Sequence, residues 1–373
     1  MVTFRITPKD PVIARDGRPF GNGSRMHSLD WPRASTVAGS LRTMVGKRAG
    51  DSFDEGLVSS LKAMEVYGPL PLSSKCDESW LFFPAPKDVL IKKGDKDDRE
   101  VFVLRPEKVE EGCGTDLGLE FLPAMDPKPK EAFKPSAVPP LWRSDLMVSW
   151  LLGKSREVPA DGDRVMDLPH KEDRVHVAID PLTGASLEGM LFSTTALDLR
   201  KEGLSLSLKV ESKDLSDSLV GGHHPLGGER RLARWDRSKD EDLWSCPDEI
   251  RAALKGLRPG DGVRLVLGTS AVFDGGWMPG WLKDKGEGFV PGTSVKVSLV
   301  SASTGRWEAL SGWSYETKRP KPLYRMVPAG SVYFLRLLEG SAEELAQTWL
   351  KPMSDREVHR NDGLGLVLWG LWK

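Results

Sequence analysis

The chain has 373 residues, 39% of them hydrophobic and 29% charged, with a formal net charge of −1. That length suits two domains, and the lack of any apolar run of about 18 residues excludes a helical membrane span. The opening MVTFRITPKDP lacks the charged and apolar regions of a secretory signal, and Cys76, Cys113 and Cys246 form no close pair; a reducing cytoplasm is the expected setting.

In chain order, VTFRIT alternates apolar and polar residues and predicts a first strand. A long loop follows, and Ser35 is the expected N-cap of a helix from Thr36 to about Arg48. Its apolar face is Val37, Ala38, Leu41, Met44 and Val45. From about residue 73 to 170 the pattern degrades into a charge run and a proline-rich stretch, PAMDPKPKEAFKPSAVPPLW. Proline donates no ladder hydrogen bond, so this region predicts an insertion of loops and a hairpin, part of it ordered only with a partner.

RVHVAID and GMLFSTTALDL predict strands, as does GLSLSLKV, whose Leu204, Leu206, Leu208 and Val210 share one face. A short helix, SKDLSDSLV, leads into GGHHPLGG, and ERRLARW predicts the next strand. The order β-α-β-β-α-β is that of a ferredoxin-like unit, ending near residue 238. After it, CPDEIRAALKG predicts a helix, strands follow at GVRLVLGTSAVF, TSVKVSLVSA and GSVYFLRLL, and SAEELAQTWL carries a capping box from Ser341 to Glu344. The chain closes on NDGLGLVLWGLWK, a second glycine-rich turn entering an apolar strand. The expectation is an α+β chain of two ferredoxin-like domains, 1–238 with the insertion and 239–373 without one.

Charge is clustered despite the near-zero total. Residues 1–50 carry nine basic and three acidic residues; Arg230, Arg231, Arg234 and Arg237 form a second cluster, and Lys318, Arg319, Lys321 and Arg325 a third. Such clusters beside glycine-rich loops point to a polyanion. Each of them is also compatible with an ordinary solvated surface. No metal-ligand spacing, nucleophile elbow or nucleotide-cofactor fingerprint is present, so neither metal nor cofactor is expected. His27, His223 and His224 leave open an acid–base cleavage of RNA, with loop or RNA-contact roles the plainer alternative. PLGGERRL suits close backbone approach to phosphates, with His223 or Trp235 stacking on a base.

In combination, RDGRPF (15–20), WPRASTVAGSLRT (31–43), PLGGERRLARW (225–235) and PAGSVYFL (328–335) resemble the third-subunit family of the Cmr complex. That complex is the type III-B CRISPR effector, and the family belongs to the RAMP superfamily. The resemblance spans both ends and the middle of the chain and skips the proline-rich insertion. It implies two ferredoxin-like domains and a non-catalytic subunit that holds the repeat-derived 5′ tag of the CRISPR RNA. It also implies docking to the large polymerase/cyclase-like subunit and to the first backbone-filament subunit, in antiviral defence. Carried onto this chain, the expected RNA-binding residues are Arg15, Arg18, Phe20, Ser35, Thr36, Gly39, Arg42, His223, Gly227, Gly228, Glu229, Arg230 and Arg231. A thumb hairpin of the kind RAMP subunits wedge between nucleotides is expected in the insertion. Two other readings stand beside this one: a metal-independent RAMP endoribonuclease, and a docking scaffold without RNA contact.

Overall fold

Alternation in VTFRITP builds the strand β1, Val2–Pro8, whose Val2, Phe4 and Ile6 are buried. The computed structural model describes residues 1–16, 25–50, 52–75, 78–94, 98–114, 118–212, 219–282, 286–314 and 316–372. The chain divides into two compact units that interleave along the sequence. Met1–Ser79, Leu168–Lys239 and Ala309–Arg325 form the first; Trp80–Asp167, Asp240–Glu308 and Met326–Lys373 form the second. This differs from a division at 238/239: of the region of about 73–170 read as an insertion into the first domain, residues 80–167 belong to the second unit.

In the first unit β1 is central. Leu204–Glu211 lies on one side, with Phe4 opposite Leu208, and Leu232–Ser238 on the other, with Ile6 opposite Trp235. Strand β2, Glu65–Lys75, pairs with Leu204–Glu211, and Gly222–Pro225 forms the outer edge beside Leu232–Ser238. All these neighbours run antiparallel. Helix α1, Ala34–Ala49, buries the expected stripe of Val37, Ala38, Leu41, Met44 and Val45. It starts earlier than a Ser35 cap allows. Arg33 occupies the cap without a side-chain capping bond, and its carbonyl accepts the N–H groups of Thr36 at 3.0 Å and Val37 at 3.2 Å. Ala34 is also buried, so the apolar stripe begins one turn before Ala38 and draws the helix start with it. Helix α2, Glu55–Ala63, does carry a side-chain cap, Asp54 accepting from Leu57 N at 2.8 Å. The expected helix SKDLSDSLV falls mainly on residues 213–218, outside the described residues.

The second unit repeats that strand order. Gly262–Leu267 sits between Val332–Glu339 and Val367–Trp372, and Lys296–Ser303 pairs with Val332–Glu339, all antiparallel. The region read as loops is more regular than expected. It holds the strands Glu78–Pro84, Val89–Lys93, Arg99–Lys108, Phe121–Asp126 and Leu141–Arg143, and the helix α3, Ser144–Leu151. A buried polar cluster anchors it. Arg264, 4% exposed, donates from Nη1 to the fully buried Asp88 at 2.5 Å, and Trp150 Nε1 donates to the same carboxylate at 2.9 Å. No spacing in the sequence links residues 176 positions apart.

Helix α4, Asp248–Lys255, follows Pro247 and ends before Gly256, burying Ile250 and Leu254. The Ser341–Glu344 capping box does not form. Ala342–Thr348 is a 3-10 helix without a side-chain cap, and the Glu344 carboxylate instead accepts the N–H and the hydroxyl of Ser294, each at 2.8 Å. A tertiary partner outcompetes the local one. No helix among the described residues is long and apolar enough to cross a membrane. Among the same residues no group of three or more His, Cys, Asp or Glu side chains is placed to hold a metal ion.

Candidate nucleic-acid interface

Three segments of the first unit meet around the GGHHPLGGERR stretch. The first is α1, whose Ser40 Oγ donates to Pro225 O at 2.5 Å. Arg48, near its C-terminus, donates to Gly221 O at 3.0 Å and also to Val220 O. Side chains of the helix thus cap a carbonyl of the outermost strand and those of the two residues before it, one way in which a sheet edge is protected. A side chain at Gly222 would obstruct this, because its Cβ would lie 2.6 Å from Arg48 Nη2.

The second segment follows β1. Residues 14–16 pair with 27–29 through Asp16 N to His27 O at 3.0 Å and Leu29 N to Ala14 O at 2.7 Å, with Arg15 opposite Ser28. The third is the glycine turn itself. Gly227 has φ 75°, Gly228 N donates to Ile13 O at 2.9 Å, and a Cβ on Gly227 would stand 2.5 Å from that same oxygen. Both glycines therefore serve close approach between two stretches of protein backbone. Beyond them the expected strand ERRLARW forms only in its second half. Gly228–Arg230 is a 3-10 turn with Glu229 at φ 57° and Arg230 at φ 50°, and the strand starts only at Leu232. Left-handed backbone costs a residue with a side chain about 1–2 kcal/mol, yet here two charged residues adopt it in succession.

Each expected residue has a defined place. Thr36 and Gly39 are exposed on α1 and Ser35 is half-buried; a Cβ on Gly39 would meet nothing within 4 Å. Arg42 donates to Met64 O at 3.1 Å, beyond the end of α2. Arg15, His223, Glu229 and Arg230 are exposed, and Arg231 is half-buried with its Nε buried and unpaired among the described residues. Arg18 and Phe20 lie outside the described residues.

Trp235 cannot stack on a base: it is fully buried, edge-on to Phe4 at 6.4 Å, with its Nε1 donating to His224 O at 3.4 Å. His224 is buried as well. Burial first, then the charges of Lys47 and Arg48, push its pKa down to about 4, so it stays neutral and weakly basic at pH 7. Arg231 also adds to the field that holds the Glu172 carboxylate below its ordinary range, an effect dominated by the Arg174 bond at 2.7 Å.

Sequence reasoning missed Ser40 and Arg48 as organisers of this site. Their polar character on one helix was legible, but their partners are backbone carbonyls some 170 to 185 positions away. The strands expected at RVHVAID and GMLFSTTALDL do form, and they make one exposed hairpin. His170–Ile179 pairs with Ser186–Asp198, C-terminal to the region where the thumb was expected. Val175, Val177, Ile179 and Leu191 share one of its faces and are 70%, 40%, 53% and 60% exposed. His176 stacks on Phe192 on the other face, with ring centroids 5.1 Å apart. The base of the hairpin is tied to the loop after β1 by Met26 N to Ser193 O at 2.8 Å and by the Arg25–Asp173 pair at 2.6 Å.

A family model described as CRISPR-associated protein (Cas_Cmr3) matches residues 4–372. No curated protein matches the chain. Among solved structures, the chain is similar to one in the type III-B Cmr-beta complex bound to cognate target RNA. Identity there is 14% and the TM-score 0.49, over 89% of this chain and 86% of that one. A second state of that complex, with AMPPnP, gives the same values. A chain of the Csm3–Csm4 subcomplex of a type III-A interference complex aligns over 100% of both chains at 9% identity and a TM-score of 0.37.

Proposed function

The chain belongs to the Cas_Cmr3 family, the Cmr subunits of type III-B CRISPR effectors, and from that premise we propose that it holds the repeat-derived 5′ tag of the CRISPR RNA without cutting it. The observation that carries this reading is the turn at Glu229 and Arg230. Two successive left-handed residues, pinned to Ile13 through Gly228, display charged side chains where glycine would cost less. Successive backbone N–H groups in a turn make a concave anion site. Arg230 and Arg231 bring positive charge to it, and the exposed Arg15, Thr36 and Gly39 belong to the same unit.

The strand order supports two ferredoxin-like domains. In each unit the first strand lies between the third and the fourth, and the second lies outside the third, all antiparallel. The exposed hairpin of residues 170–198 is the thumb in this reading, in place of the insertion. Docking to the large polymerase/cyclase-like subunit and to the first backbone-filament subunit completes the proposed role. Buried His224, with its low pKa, is poorly suited to proton transfer at neutral pH, which favours holding over cleavage.

Anisotropy of a labelled tag RNA and a scrambled RNA, each across a salt series, tests the reading. Each lost phosphate contact lowers the salt slope of single-strand binding by about 0.7, so Arg230→Gln/Arg231→Gln should lower it by about 1.4 and weaken tag preference. Unchanged affinity and slope would sink the assignment, and a discrete RNA cleavage product on a denaturing gel would replace it with an endoribonuclease.

A further inference from the structure

The third cationic cluster lies outside the site just described and forms a surface of its own. Trp313–Ser314 pairs antiparallel with Arg319–Pro320, and Lys321 N donates to Gly312 O at 2.7 Å, giving a short two-stranded ribbon. Residues 311–325 contain four cations and one carboxylate, Glu316. That carboxylate is taken up by Lys62 of α2 at 2.7 Å, which ties the ribbon's turn to the helix. Lys318 stands at φ 50° in the turn, a position glycine or asparagine fills at lower cost, and it carries a charge to the tip.

The register separates two faces. Trp313 and Pro320 share one; Ser314, Arg319 and, two residues on, Lys321 share the other. Trp313 is 54% exposed, and Lys318, Arg319 and Lys321 are exposed. The cationic face is flanked by small residues, with Lys321 Cδ lying 3.8 Å from where a Gly312 Cβ would be. A nucleic-acid strand that meets both faces crosses the ribbon's edge, with its phosphates on the cationic face and a base on the Trp313 face.

We propose that this ribbon is a second, sequence-tolerant contact for single-stranded RNA: Lys318, Arg319 and Lys321 take phosphates and the Trp313 indole takes one base. An exposed indole combined with cations is the composition of a single-strand platform. A partner strand adding to the ribbon is disfavoured on its second side, because Pro320 and Pro322 have no N–H to offer. The inference rests on the reading of the chain as an RNA-binding subunit.

The test uses the full chain and a labelled single-stranded RNA of scrambled sequence across a salt series. Arg319→Gln/Lys321→Gln should lower the salt slope by about 1.4. Trp313→Ala should leave the slope unchanged and weaken binding by between about five-fold and a hundred-fold. Thermal unfolding of both variants should match the parent, since the replaced side chains are exposed. If neither variant changes binding while Arg230→Gln/Arg231→Gln does, this inference falls and the tag-holding reading stands. If the parent binds no RNA, both fall. If the ribbon variants bind RNA normally but no longer assemble with the other effector subunits, the ribbon is a protein contact and the inference is overturned.

Discussion

Replacing Gly227 with alanine places a methyl group where the glycine turn has no room. The residue has φ 75°, which costs a residue with a Cβ about 1–2 kcal/mol. The new Cβ would stand 2.5 Å from Ile13 O, where ordinary contact begins at 3.4 Å, so the turn must withdraw by roughly 1 Å. Withdrawal strains the Gly228 N to Ile13 O bond, now 2.9 Å, whose net worth is about 1 kcal/mol. Together these give a loss of about 2–3 kcal/mol. For a unit of this size each kcal/mol moves the melting temperature by about 2–4 °C, so a fall of roughly 4–12 °C is expected in the transition of the first unit. Gly39→Ala is the matched control. Nothing lies within 4 Å of its Cβ position, and alanine exceeds glycine in a helix by about 1 kcal/mol, so this variant should melt slightly higher. Differential scanning calorimetry of the three proteins decides it. A Gly227→Ala protein that melts within a degree of the parent, or a Gly39→Ala protein that falls with it, would refute the reasoning. If α1 approaches RNA backbone, Gly39→Ala should also bind tag RNA more weakly while being more stable.

His224 makes stability depend on pH. Its folded pKa of about 4 lies below the ordinary 6.5, so the unfolded chain takes up the proton first as pH falls. The contribution is full above about pH 6.5, is lost on the way down to about pH 4, and is bounded near 3 kcal/mol at about 1.4 kcal/mol per unit. His224→Gln should show a smaller drop in melting temperature between pH 7 and pH 4.5 than the parent; equal drops would contradict the assignment. Asp88→Asn strands Arg264 without its carboxylate and should cost the second unit about 3–5 kcal/mol in urea unfolding, and a loss under about 1 kcal/mol would show the pair to be incidental. Val177→Asp, on the exposed hairpin face, should leave the melting temperature within about a degree and weaken RNA binding. If RNA binding is also untouched, the hairpin is not the thumb.

How much of this was legible differs from element to element. The α1 stripe and the alternation of β1 and of Leu204–Glu211 follow from periodicity, because burial on one face imposes a period whatever the partner is. The start of α1 did not follow, because Ser35 matches a local cap preference worth about 1 kcal/mol, while Ala34 belongs to the buried stripe. The Ser341–Glu344 box failed for a similar reason: Ser294 offers Glu344 two donors from across the chain.

Within the site, the glycine pair and the arginines after it were visible in the sequence, as was the cationic cluster at Lys318–Arg325. Their roles were not. Gly227 and Gly228 approach Ile13, Arg42 is drawn to Met64 O, and Trp235 is buried against Phe4. Each outcome depends on a contact distant in sequence, which composition and spacing do not encode.

By itself the amino-acid sequence determined which segments must be half-buried and where charge and glycine concentrate, since local period and residue type carry that information. Only the tertiary structure decided that residues 80–167 join the second unit, that Arg48 and Ser40 cap an edge strand and the residues leading into it, and that Glu229 and Arg230 turn left-handed. Those outcomes are set by which distant backbone groups need partners once the sheets have formed.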